Sequence, residues 1–145
     1  MKIKILDPRI KPEMLQPATP GSAGIDLRAC ISEPEHWYHG DQVTIPTGIA
    51  MAIPKGMVGL IFPRSGLSTK AGIVLANTTG VIDSDYRDEV KVILLNRHRD
   101  TKRYVLSPLD RIAQLVVVPM TTYVEVVEEL DTTSRTGGFG STGDK

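Results

Sequence analysis

The chain has 145 residues, the size of one domain, and can bury a core without disulfides or a structural metal. Its 41% hydrophobic and 23% charged residues exclude a disordered or fibrous protein. Seventeen basic and seventeen acidic side chains give a formal charge of zero, so no global field draws nucleic acid or an anionic membrane. An anion would have to be gripped by a local cluster.

The opening MKIKILDPRIKPEM alternates over residues 2–6 and then breaks at prolines, with no apolar run of signal-peptide length. Nothing approaches the ~20 apolar residues of a membrane span. The expectation is a soluble, cytoplasmic protein with no membrane partner. Further β-rich runs follow at residues 25–31, 43–53, 57–62, 73–76, 90–96, 104–106, 111–119 and 123–128. Turn clusters such as Pro20-Gly21, His39-Gly40-Asp41, Pro54-Lys55-Gly56 and Ser107-Pro108 separate them. Many short strands at about 8–12-residue spacing predict an all-β sandwich, jelly roll or barrel. Only residues 65–71 are predicted to form a turn or two of helix. Alternation is clearest at 89–94 and 122–128, where one face would be dry.

The single cysteine, Cys30, has no intrachain partner, and His36, His39 and His98 do not fall at metal-site spacing. After Leu130 the chain turns to Thr, Ser and Gly, too polar to bury much surface. The predicted organisation is a β domain at residues 1–130 and a mobile C-terminal lid at 131–145. Within that tail, Gly137-Gly138-Phe139-Gly140-Ser141-Thr142-Gly143 has the make-up of a phosphate-wrapping loop around an aromatic; a frayed terminus has a similar composition.

Three interior segments carry candidate chemistry. Pro63-Arg64-Ser65-Gly66-Leu67-Ser68 places a guanidinium fork, a hydroxyl and a glycine on a strand-to-helix turn, a combination that cradles anions and also makes ordinary surface turns. Gly80-Val81-Ile82-Asp83-Ser84-Asp85-Tyr86-Arg87 holds two carboxylates and a tyrosine before a strand. One carboxylate can deprotonate a water, and Asp-Ser-Asp would equally serve an Asx-turn. Asp110-Arg111-Ile112-Ala113-Gln114 opens an apolar strand, where Asp110 and Arg111 read as a structural ion pair and the amide of Gln114 needs partners. The basic run from Arg97 to Arg103 lacks interleaved aromatics and reads as a solvated hairpin loop, not a nucleic-acid surface. Trp37 and Tyr38 read as packing or rim residues.

Taken in order, Gly21-Ser22-Ala23-Gly24-Ile25-Asp26-Leu27-Arg28-Ala29, Pro63-Arg64-Ser65-Gly66-Leu67, Gly80–Arg87, Asp110–Gln114 and Gly137–Gly143 closely resemble the five motifs of the trimeric dUTPases. The resemblance spans nearly the whole chain. It implies a jelly-roll-like subunit in a homotrimer with active sites at subunit interfaces. It implies Mg²⁺-dependent cleavage of dUTP to dUMP and pyrophosphate, which supplies dUMP for thymidylate synthesis and keeps uracil out of DNA. By the same resemblance Asp83 matches the carboxylate that activates the attacking water. Tyr86 matches the ring under the deoxyribose that leaves no space for a ribose 2′-OH. Asn77, the backbone of Gly80, Val81 and Ile82, and Lys91 match the hairpin that reads uracil. Arg64, Ser65, Gly66 and Gln114 match phosphate contacts, and Asp26 matches the carboxylate that holds the metal through water. Phe139 matches the lid aromatic over uracil, with Gly140 and Ser141 closing on the phosphates.

Two positions depart from the family pattern. Ser134 stands where an arginine precedes the paired lid glycines, so Arg135, one residue closer, would have to reach the γ-phosphate. Asp88 stands where the family tends to have glycine. The alternatives are a dCTP deaminase or bifunctional deaminase–dUTPase of the same fold, or a dUTPase with an added regulatory protein partner. The deaminases resemble Arg-Ser-Ser and carry a glutamate in the strand after the third motif; here that strand reads Val90-Lys91-Val92-Ile93-Leu94-Leu95.

Overall fold

A computed structural model describes residues 1–98 and 103–134 of the chain. Burial at alternate positions gives β2 and β8 one dry face each, and the described residues form ten strands: β1 (Lys2–Ile5), β2 (Ile25–Arg28), β3 (Glu35–Trp37), β4 (Gln42–Ala52), β5 (Met57–Pro63), β6 (Ile73–Leu75), β7 (Gly80–Ile82), β8 (Glu89–Asn96), β9 (Tyr104–Leu106) and β10 (Arg111–Pro119). One helix, α1 (Ser65–Ala71), follows β5 and ends at Gly72 in the left-handed conformation. A Cβ at Gly72 would come within 2.8 Å of the His98 backbone, so glycine is demanded there by both φ and space.

Two four-stranded sheets, ordered β1-β4-β8-β6 and β2-β10-β5-β7, carry the fold, with β3-β9 as a small antiparallel pair. Ile45, Val92 and Leu94 of the first sheet join Leu27, Ile61 and Leu115 of the second in one buried cluster. Among the described residues this is an open sandwich, with unpaired strands at the sheet edges and no barrel closure. Among the described residues no helix is long and apolar enough to cross a membrane.

The register of β4 against β8 shifts midway. β4 advances four residues from Pro46 to Ala50 while β8 moves two, from Lys91 to Glu89. The extra residues form a bulge at Thr47, Gly48 and Ile49. Thr47 is buried and its hydroxyl donates to the Val90 carbonyl at 2.6 Å. Gly48 has φ 69°, and a Cβ there would lie 2.5 Å from Cys30 Sγ and 2.8 Å from Asp7 Cβ. Gly48→Ala is therefore expected to cost about 2–4 kcal/mol of stability, from overpacking and left-handed strain together. A denaturant midpoint unchanged by that substitution would contradict this packing.

Beside the bulge, Arg9 donates from Nε and Nη2 to the two oxygens of Asp7 at 3.0 and 2.7 Å. These bonds hold the Asp7 carboxyl well below its ordinary value of 3.8, at about 2. A lowered folded value stabilises the protein above the unfolded value, and that contribution is lost as pH falls from 3.8 towards 2. Asp7→Asn should accordingly flatten the loss of stability across that interval when unfolding is followed by circular dichroism. Burial pushes the neighbouring Cys30 thiol up to about 11, which makes it a poor nucleophile at neutral pH.

Most of the strand pattern matches the sequence expectation, with shifts of one to three residues at the ends. The predicted strand at 123–128 is not formed: among the described residues the last strand is β10, ending at Pro119, and residues 120–134 pair with no described strand. Val124 and Val126 are 81% and 93% exposed. The alternation there writes a dry face, but among the described residues of one chain nothing covers it. The short strands β3 and β7 and a 3-10 turn at Pro12–Leu15 are not apparent in the sequence pattern, because three or four residues carry too little periodicity.

Candidate active site

Three segments distant in sequence meet at one end of the second sheet. Asp26 comes from β2, Arg111 and Gln114 from β10, and Arg64, Ser65 and Gly66 from the exit of β5 into α1; with Ser22, Ala23 and Gly24 they line an open polar cleft of about 300 Å³. Asp26 Oδ1 accepts from Arg64 Nε at 3.0 Å and Oδ2 from Arg111 Nη1 at 3.2 Å. Arg64 Nη1 donates in turn to the Arg111 carbonyl at 3.3 Å, and Gln114 Nε2 to the Pro63 carbonyl at 3.0 Å. The amide therefore does find a partner, and it ties β10 to the turn that presents Arg64. Gly66 is different from the structural glycines. Its φ is ordinary and an added Cβ would meet no atom within 4 Å, so the fold does not require glycine there.

Arg111 was not foreseen as a cleft residue. In place of a pair with Asp110 it reaches Asp26, while Asp110 Oδ2 accepts the Ser107 amide at 2.9 Å and closes the turn before β10. The cause is a register shift between Arg111 and Ala113. It lets the adjacent Ile112 and Ala113 both be buried and brings Arg111 and Gln114 to one cleft, which strict alternation would not allow.

The second group of predicted residues occupies the segment that crosses from one sheet to the other. Asn77 is exposed, and its carbonyl accepts from the Thr79 amide at 2.7 Å and the Thr78 hydroxyl at 2.6 Å, with Thr78 at φ 61°. Gly80, Val81 and Ile82 form β7 against Ile61, Leu60 and Gly59. Gly80 also has a packing reason, since a Cβ there would lie 3.1 Å from Ile61 Cβ. Val81 is 62% exposed on this edge strand. Asp83 opens the following turn, its carbonyl accepting the Tyr86 amide at 3.2 Å, and its exposed carboxylate has no hydrogen-bond partner among the described residues. Tyr86 is part-exposed, and its hydroxyl donates to the Glu89 carbonyl at 3.0 Å. Lys91 is exposed on β8 opposite Pro46.

Within one chain the two groups stand apart. β7 runs antiparallel to β5 with Ile82 opposite Gly59, so Asp83 continues towards the start of β5, while Arg64 follows its end. Five or six residues of strand at ~3.3 Å each separate them, about 16–20 Å. No residue of the 77–91 segment lines the cleft. Arg135, Phe139, Gly140 and Ser141 lie outside the described residues.

The fold and the cleft define a jelly-roll-like β-sandwich with paired arginines, a hydroxyl and an amide presented to solvent. The dUTPase family pattern matches residues 11–143, and the chain belongs to the dUTPase family. It is 47% identical over 146 residues to the deoxyuridine 5'-triphosphate nucleotidohydrolase of Paraburkholderia phymatum, covering 99% of this chain and 97% of that protein. The protein of the same name from Thiobacillus denitrificans is also 47% identical, with 99% of each covered. Among solved structures, a variant of the Staphylococcus bacteriophage 80alpha dUTPase with dUpNHpp superposes with a TM-score of 0.80 at 28% identity, covering 98% of this chain and 97% of that one. A dUTPase from phage phi11 of S. aureus, described with a structural Mg(II) ion, gives 0.75 at 25% identity, over 88% and 96% of the two chains.

Proposed function

We propose that this chain is a dUTP diphosphatase, a cytoplasmic enzyme that hydrolyses dUTP to dUMP and pyrophosphate as a homotrimer with Mg²⁺. The observation that carries the reading is the cleft of Asp26, Arg64, Ser65 and Gln114, in a chain whose full-length relatives are dUTP nucleotidohydrolases. Arg64 offers a charge-assisted fork to phosphate oxygens, Ser65 a hydroxyl, and Gly66 a backbone that a phosphate can approach closely. Asn77, the β7 backbone and Lys91 read the uracil edge, and Tyr86 lies under the deoxyribose. Asp83 takes a proton from a water molecule as the water oxygen bonds to the α-phosphorus. The bond from that phosphorus to the bridging oxygen breaks, and pyrophosphate leaves with the electron pair.

Among the described residues Asp26 is the one carboxylate lining the cleft, and no three or more His, Cys, Asp or Glu side chains are placed together to hold a metal ion. That donor set suits Mg²⁺, which keeps several waters and rests on one carboxylate plus substrate phosphates, and not a dehydrated ion in an all-protein cage. Asp26 would hold it through water. When bound, Mg²⁺ supplies charge neutralisation on the triphosphate.

Two features favour the trimer. Asp83 and Arg64 stand about 16–20 Å apart in one chain, a separation that supports a site in which a second copy supplies one of them. The valines of residues 120–130 are exposed on a strand-like pattern that has no partner here, as expected of a segment that lies on a neighbouring subunit. Arg135, Phe139, Gly140 and Ser141 would then close over the bound nucleotide. Within β8 the stretch from Val90 to Leu95 carries no acid, and Glu89 at its first position accepts the Gly48 amide, against a deaminase. The test is incubation with dUTP, dCTP and UTP, with and without a chelator. Equimolar dUMP and pyrophosphate from dUTP alone, lost on chelation and restored by Mg²⁺, is expected. Ammonia release from dCTP without pyrophosphate would overturn the reading.

A further inference from the structure

We infer that Glu89 is a positioning residue for substrate discrimination, locking the Tyr86 ring to the bulge of β4; this rests on the reading of Tyr86 given above. Tyr86 is 37% exposed, so packing alone does not hold its ring. Its hydroxyl is anchored instead on the Glu89 carbonyl at 3.0 Å. That carbonyl is only as fixed as Glu89 itself, which stands at the start of β8, directly after the exposed turn. The Glu89 side chain supplies the fixation: Oε1 accepts the Gly48 amide at 2.9 Å, a donor that the bulge removes from the β4–β8 ladder.

The bulge is held from its other side as well. The Gly48 carbonyl accepts the Leu6 and Asp7 amides at 2.8 and 3.2 Å, and Thr47 is tied to Val90. Close packing of Cys30 and Asp7 against the Gly48 Cα leaves that segment little room to move. Glu89 thus joins a rigid point of the first sheet to an exposed ring, through one side-chain bond and one carbonyl. A hydrogen bond to an acceptor oxygen is what the site requires, and the negative charge is dispensable. With Asp7 close by, a neutral acceptor should serve as well.

The readout is the ratio of kcat/KM for dUTP over UTP. Glu89→Ala frees the start of β8, and the ratio should fall about tenfold through misplacement of the ring. Glu89→Gln keeps an acceptor for the Gly48 amide and should hold the ratio within about twofold. Tyr86→Phe cuts the other end of the link without touching the bulge and should lose about as much as Glu89→Ala, while Tyr86→Ala should lose more. A full ratio in Glu89→Ala with a collapsed ratio in Tyr86→Ala overturns the role of Glu89 alone. Full ratios in both overturn the reading of Tyr86 and the role of Glu89 with it. Equal losses in Glu89→Gln and Glu89→Ala also overturn it, since charge would then be what matters. Should Glu89→Ala fail to fold, a full ratio in Tyr86→Phe overturns the link.

Discussion

Replacing Asp83 with asparagine is expected to lower dUTP turnover by about 10²–10⁴-fold, the loss that follows removal of a general base. Size and shape are kept, and the carboxylate makes no hydrogen bond among the described residues, so folding has nothing to lose. A non-hydrolysable dUTP analogue should bind with nearly unchanged affinity, because the phosphates meet other side chains. Asp85, two residues on and also exposed, is the matched control. Asp85→Asn should retain near-normal turnover in the same assay. Normal turnover in Asp83→Asn would remove it as the base and direct attention to Asp85.

Mixing two inactive variants should restore activity. On the proposed roles, Arg64→Ala removes the phosphate fork and Asp83→Asn the base, and each variant alone should be nearly inactive. If each site takes Arg64 from one subunit and Asp83 from another, random mixed trimers rebuild about one quarter of the sites with both residues intact. Co-refolded mixtures should then show about a quarter of the unsubstituted activity per subunit, a gain of well over tenfold on either variant alone. The basis is the register of β7 on β5, which sends Asp83 and Arg64 to opposite ends of the same strand. Activity that stays at the level of the two parents after mixing would mean that each site closes within one chain.

Arg111 illustrates what local pattern leaves open. Its neighbours Asp110 and Gln114 invite a pairing along the strand, but a one-residue shift between Arg111 and Ala113 turns the guanidinium to Asp26, 85 residues away in sequence. The glycines divide in the same way. Gly48, Gly72 and Gly80 are explained by their packing, whereas nothing in the fold accounts for Gly66. In the sequence nothing separates Gly66 from the other three, and Gly48 simply sits inside a predicted strand.

The all-β class, the helix at Ser65–Ala71, the long strands and the ordered motifs were legible in the sequence alone. Each of those features is local: a period of two marks a dry face, and proline, glycine and aspartate mark where strands must stop. The candidate phosphate-binding residues were also nominated from the sequence, because their types and order resemble one family closely. Which of them share a cleft was decided only by the tertiary structure. It gathered Asp26, Arg64, Ser65, Gly66 and Gln114, added Arg111, and left Asp83 and Tyr86 at the far end of β5. It also left the valines after Pro119 uncovered, although their alternation predicts a strand. The physical reason is common to these cases. Alternation states which side of a strand avoids water, but the pairing partner, its register and its bulges are set by contacts between segments far apart in the chain.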